Sequence, residues 1–121
     1  MACPPDPAAF LPLKPDVFTI LLVLLDGDAH GYRMIKAAEE RTGRKGQLQP
    51  GALYRLLKQM LYSDLVGEVA APEGDGARED RRRYYRITPF GRRVAQAEAQ
   101  RMAELVGLSR RHRLIEEGKS A

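Results

Sequence analysis

Between residues 17 and 25 the chain runs VFTILLVLL, an almost unbroken apolar stretch that follows Pro15 and ends at DGDAHG. Proline suits the first turn of a helix, so the run predicts a first helix over 15–25, buried on most of its surface. Asp6 and Asp16 precede the stretch and DGDAH follows it where small cleavage-site residues would stand, so it is not read as a secretion signal. It is also far shorter than the roughly 20 residues that span a bilayer. The next segment, HGYRMIKAAEERTG, changes rhythm. Tyr32, Ile35 and Ala38 recur at helical steps while Arg33, Lys36, Glu39, Glu40 and Arg41 fall on the other side, and Gly43 supplies the stop. A second, amphipathic helix is expected there, with His30 capping or packing at its start.

After a short basic loop, RTGRKGQLQ, Pro50 opens a third helix in QPGALYRLLKQML. At about 100° per residue, Leu53, Leu56, Leu57, Met60 and Leu61 share one half of it. Gly51, Tyr54, Arg55, Lys58, Gln59 and Tyr62 share the other. Two β-prone runs come next, LVGEVAA and RRRYYRIT, joined by the polar, turn-rich PEGDGARED. In the second run Tyr85 and Ile87 alternate with Tyr84, Arg86 and Thr88, which places Tyr85 and Ile87 on the inward face. Thr88 then reads as an N-cap, with Pro89 in the first turn of a last helix reaching about Arg113.

Three helices, a hairpin and a long helix make a mainly α fold with a small β-hairpin: a winged helix-turn-helix domain followed by a C-terminal dimerisation helix. The expected divisions are an extended, Pro-rich N-terminal arm over 1–14, the winged-helix domain over 15–88, the last helix over 89–115 and a flexible tail over 116–121. With 121 residues, 44% of them apolar, the chain is long enough for one core and too short for a second.

Charge narrows the choice of partner. Twenty Lys and Arg against 16 Asp and Glu leave a net charge of +4, which suits a polyanion. Cys3 is the single cysteine, so no intrachain disulfide can form and a cytoplasmic location is expected. No Gly-rich phosphate loop, nucleophile with a base, or metal-ligand spacing is present, and the two histidines, His30 and His112, lack Cys or acidic company. The expectation is therefore no enzyme, no cofactor and no metal site.

The candidate chemistry is that of a DNA reader. A helix entering the major groove needs short residues near its start and long polar ones on its outer half. Gly51 and Ala52 meet the first need, and Gln49, Tyr54, Arg55 and Lys58 the second, with Arg suited to guanine and Gln to adenine. Arg78, Arg81, Arg82, Arg83 and Arg86 lie in and beside the hairpin loop, within reach of phosphates or the minor groove, although Glu73, Asp75, Glu79 and Asp80 temper their field. Tyr84 either touches a phosphate or packs under the wing. On the last helix Ala95, Ala99, Met102 and Val106, with Leu105 beside them, form a seam too long for one small domain to cover, with Phe10 and Leu11 of the arm as candidate caps. A homodimer is expected from it. The alternative is that this helix folds back on the chain's own first helix.

Three segments, DGDAHGY, LQPGALYRLL and RRRYYRITPFGRR, in that order and at those spacings, resemble the PadR family of bacterial transcriptional regulators over roughly residues 14–106. The single short C-terminal helix resembles the smaller subfamily. The resemblance implies a winged-helix repressor that dimerises through its terminal helices, binds a palindromic operator in double-stranded DNA and uses Tyr32 with the third helix and the wing to do so. Gln49 and Ala52 depart from the family's usual Ser and Thr about the Pro-Gly, so the operator does not transfer. Asp64 stands where the family usually has a helix-closing glycine. Some related regulators answer to phenolic acids or hydrophobic drugs; this chain has no Trp, and whether a small-molecule effector acts on it is left open. A rival reading is a winged-helix module whose basic surface binds an acidic protein. RNA binding ranks below both, since Tyr84 is the one outward aromatic on a strand.

Overall fold

A computed structural model describes residues 6–46, 48–71 and 83–116. Its elements are α1 (Pro15–Leu25), β1 (Ala29–His30), α2 (Gly31–Thr42), α3 (Pro50–Tyr62), β2 (Val66–Val69), β3 (Tyr84–Ile87) and α4 (Pro89–Arg111), preceded by one 3₁₀ turn at Pro7–Phe10.

Local chemistry explains where the helices begin and end. α1, α3 and α4 each carry Pro in the first turn, where the missing N–H costs nothing. The His30 ring accepts a hydrogen bond from the Arg33 N–H at the start of α2, and Thr88 does the same for Gly91 at the start of α4. Gly43 closes α2 in the left-handed region at φ 72°, where a side chain would be strained. Asp64 takes a similar conformation, φ 62°, just past α3, and its neighbour Leu65 returns an N–H to the Met60 carbonyl.

Ile20, Leu21 and Leu24 of α1 meet Met34 and Ala38 of α2, Leu53, Leu57 and Met60 of α3, Val66, Tyr85 and Ile87 of the sheet, and Val94 and Ala95 of α4 in one core. α1 is covered from several sides, hence its unbroken apolar run. α3 buries Leu53, Leu57 and Met60 and half-buries Leu56 and Leu61, as its spacing predicts. On α2 the buried residues are Gly31, Met34 and Ala38, while Tyr32, expected on the apolar side, is 58% exposed.

Three expectations are corrected. The sheet has three antiparallel strands in the order β1-β3-β2 rather than a bare hairpin, because Ala29 and His30 pair with Tyr85 and Tyr84. That added strand also corrects Tyr84: it is 6% exposed, covered by the His30 ring packed edge-on at 5.2 Å, so neither face of β3 is open at this position. The arm is not extended throughout. Its 3₁₀ turn sets Phe10 edge-on against Phe90 of α4 at 5.4 Å, so Phe10 packs on its own chain.

The last helix is divided. Gly91, Val94, Ala95 and Glu98 of its first half are buried, and the close approach that buries them depends on Gly91, where a β-carbon would overlap the Leu65 carbonyl oxygen. Ala95 is therefore a correction to the proposed seam: it belongs to the chain's own core, at 4% exposure. Ala99 is exposed, Met102 half-buried, and Leu105, Val106 and Leu108 exposed.

Candidate nucleic-acid interface

α3 stands on the core by its Leu and Met face, which leaves the opposite face to solvent along its whole length. Gln49, Gly51, Tyr54, Arg55, Lys58, Gln59 and Tyr62 are exposed, and Ala52 is half-buried. At the helix start the Gln49 amide donates to the Gly46 carbonyl at 3.1 Å, which holds it at the mouth of the loop instead of capping the helix. A β-carbon at Gly51 would have no neighbour closer than the Arg55 guanidinium at 3.9 Å, so the helix presents nearly bare backbone there. Among the described residues neither Arg55 nor Lys58 makes an ion pair, and both keep donors for an outside acceptor.

Tyr54 has a second role besides facing outward. A β-carbon at Gly31 would meet its hydroxyl and the Leu53 methyl at 3.1 Å each, so the first residue of α2 lies tightly beneath this turn of α3. α2 and α3 approach closely there, and a side chain at Gly31 would push them apart. Tyr32 lies near the same junction, with its ring stacked on His30 at 6.3 Å and Lys36 6.0 Å over its centre.

The sheet carries two unlike faces. Ile87, Tyr85 and, by the alternation of the strand, Arg83 share the inner one, opposite Val66 and Glu68 of β2. Burial pushes the Tyr85 hydroxyl above its ordinary pKa, and the Glu68 carboxylate adds to the effect, while Arg83 opposes it as charge and as hydrogen-bond donor. The outer face bears Tyr84 and Arg86. Arg86, one of the five arginines in and beside the hairpin loop, forms a two-pronged pair with Asp28, at 3.0 Å and 2.8 Å. The hydrogen bond from Arg86 lowers the Asp28 carboxyl below its usual range and raises Arg86 in turn. Sequence inspection missed Asp28, whose only signal is its place two residues before His30. Arg78, Arg81 and Arg82 lie outside the described residues.

A buried charge lies where the arm meets α4. Glu98 on α4, 3% exposed, holds Arg101 through two hydrogen bonds at 2.7 Å and 2.9 Å. The Leu13 backbone adds a smaller pull on the same carboxyl. Beyond Glu98, Leu105, Val106 and Leu108 remain exposed among the described residues, and Leu114 and Ile115 are exposed past the helix end. No helix among the described residues is long and apolar enough to cross a membrane.

Comparison with known proteins agrees with this arrangement. Residues 20–97, from α1 into the first half of α4, match the transcriptional regulator PadR-like family. Among curated proteins, a 37.1 kDa protein in transposon TN4556 of Streptomyces fradiae is 34% identical over 88 residues, which are 73% of this chain and 23% of that protein. A protein X of Lysinibacillus sphaericus is 26% identical over 71% of this chain and 76% of its own length. The chain thus spans about a quarter of the first relative and about three quarters of the second. In fold it is similar to a PadR family transcription regulator from Clostridium difficile R20291, with a TM-score of 0.66 and 22% identity over 82% of this chain and 98% of that one. A PadR-like transcription factor from Bacteroides fragilis aligns with a TM-score of 0.62 and 21% identity over 78% of this chain and 86% of its own. With the family match covering well over half of its length, the chain belongs to the transcriptional regulator PadR-like family.

Proposed function

We propose that the protein is a homodimeric repressor that occupies a palindromic operator, with α3 in the major groove and the wing on the backbone or the adjacent minor groove. The observation that carries this reading is the outer face of α3, where near-bare backbone at Gly51 is followed by the unpaired, exposed Arg55 and Lys58. Gln49 and Tyr54 extend the same face, and Tyr32 flanks it from α2. In a dimer the two α3 helices would enter successive major grooves about 34 Å apart. The bare half of α4, from Ala99 through Met102, Leu105 and Val106, supplies the apolar surface for pairing, with Leu11 of the arm beside it. A cytoplasmic location goes with this role.

The test is a fluorescence-anisotropy titration against the DNA upstream of the protein's own gene and against scrambled DNA of equal composition. A preference of about a thousandfold or more, saturating at one dimer per palindrome, is expected. Equal, weak and steeply salt-dependent binding to both DNAs would count against an operator there and leave only electrostatic attraction. Arg55→Ala should lower discrimination at one base pair by about 1–3 kcal/mol, and Lys58→Ala should shift sequence preference likewise. Unchanged discrimination in Arg55→Ala would remove α3 from the groove.

A further inference from the structure

The segment that leads from α2 into α3 is short, basic and tied down at both ends. Gly43 (φ 72°) and Gly46 (φ 74°) take the left-handed conformation, and Arg44 and Lys45 stand between them. On the α2 side the Thr42 hydroxyl donates to the Ala38 carbonyl at 3.0 Å and accepts the Arg44 N–H at 3.2 Å. Further back on the same helix, the Glu39 carboxylate accepts the Gly46 N–H at 3.2 Å. On the α3 side the Gln49 amide donates to the Gly46 carbonyl at 3.1 Å, and Leu48, 2% exposed, anchors the chain in the core. The two cations therefore project from a fixed backbone. Both side chains are exposed, and among the described residues neither makes an ion pair, although a carboxylate is fastened to the turn that carries them. The turn abuts the start of α3, where Gln49 and the bare backbone at Gly51 face outward. A helix that enters a groove by its first residues brings the segment just before it up to the phosphates bordering that groove.

We infer that this turn is a phosphate clamp: Arg44 and Lys45 take the DNA backbone beside the N-terminal end of α3, and Glu39, through the Gly46 amide, is the positioning residue that holds them there. The inference rests on the DNA-binding reading above but not on the identity of any operator, since a phosphate contact is blind to sequence. It gives an acidic residue a favourable part in binding a polyanion, which attraction by net charge does not.

The experiment is a salt titration of the full chain on both promoter and scrambled DNA. Replacing both cations, Arg44→Ala with Lys45→Ala, should weaken binding to both DNAs by the same factor, about ten- to sixtyfold near 0.1 M salt, and reduce the salt slope by about two. Arg110→Ala with Arg111→Ala removes the same charge from the far end of α4 and should leave the slope unchanged. An equal fall in that control would show that net charge alone is read and would overturn the inference, as would a parental slope in the Arg44, Lys45 variant. Glu39→Ala decides the positioning role by sign. Loss of a negative charge alone tightens binding to DNA, whereas loss of the latch should weaken it toward the level of the Arg44, Lys45 variant. Glu39→Gln, which keeps an acceptor oxygen, should bind at least as tightly as the parent. Tighter binding by Glu39→Ala would remove the latch from the account. Should Glu39→Ala fail to fold, the exposed Arg44 and Lys45 still decide the contact itself. A parent protein that binds neither DNA would defeat the DNA-binding reading and this inference together; one that binds both alike, with the Arg44, Lys45 variant weakened, would defeat the operator alone.

Discussion

At Gly91 the first turn of α4 lies against the Leu65 carbonyl, which in turn accepts the Thr88 N–H at 3.1 Å. Backbone meets backbone, so there is no flexible side chain to yield. Gly91→Ala should therefore destabilise by about 1–3 kcal/mol or more, as overpacking does, and urea unfolding would measure it. A second residue-scale prediction concerns Glu98. Its carboxyl is held below the ordinary carboxylate range, first by the hydrogen bonds from Arg101 and also by the Leu13 N–H, against the opposing pull of burial. Its contribution to stability is thus complete above the unfolded-state pKa and is lost as the pH falls through the depressed folded value. Thermal melts at pH 7 and in acid should show a smaller acid-induced fall in Tm for Glu98→Gln than for the parent; equal falls would mean another carboxylate governs. Neither role was legible beforehand. A glycine packed against a carbonyl looks like any other glycine in a sequence, and Glu98 sits among the solvated charges of its helix until the arm folds over it.

The helices were legible as elements because each carries an apolar run or repeat over about three turns, and α1, α3 and α4 also carry proline near their start. The outer face of α3 followed from the same count. β1 was not legible: two residues are too few for alternation, and they pair only because α1 and α2 bring them to the edge of β3. Missing it misplaced Tyr84, since it is the His30 ring, carried in by β1, that covers the outer face of β3 there. The Asp28 to Arg86 pair fastens this short strand from outside. Removing it by Asp28→Ala should speed hydrogen exchange at the β1 amides while global melting changes little, because an exposed pair contributes little to overall stability. Unchanged exchange would mean that Ala29 and the His30 ring hold β1 unaided.

At the scale of the whole molecule, the long seam on the last helix proved to be two surfaces. Its first half, through Ala95 and Glu98, closes the chain's own core against α1 and the arm. Periodicity could not reveal that division, because the same spacing serves a core and an interface. The bare half, with Leu105 at 49% and Val106 at 36% exposure, is the part available to a second copy. Leu105→Asp should turn a dimer into a monomer in sedimentation, with the monomer folded and its affinity for a palindrome reduced at least tenfold. A variant that stays dimeric would move the interface elsewhere.

Thr88 is the one residue between the end of β3 and the start of α4, and it is bonded to Asp64 and Leu65 on one side and to Gly91 on the other. There is no slack in that junction. Strand and helix are consequently joined like the arms of a rigid bracket: a tilt imposed on α4 by its neighbours would turn β3 about the Thr88 corner and carry Arg83 and Arg86 with it. The direction in which β3 leaves the core is then a property of how α4 is seated, and a substitution far out on that helix can re-aim a strand residue it never touches.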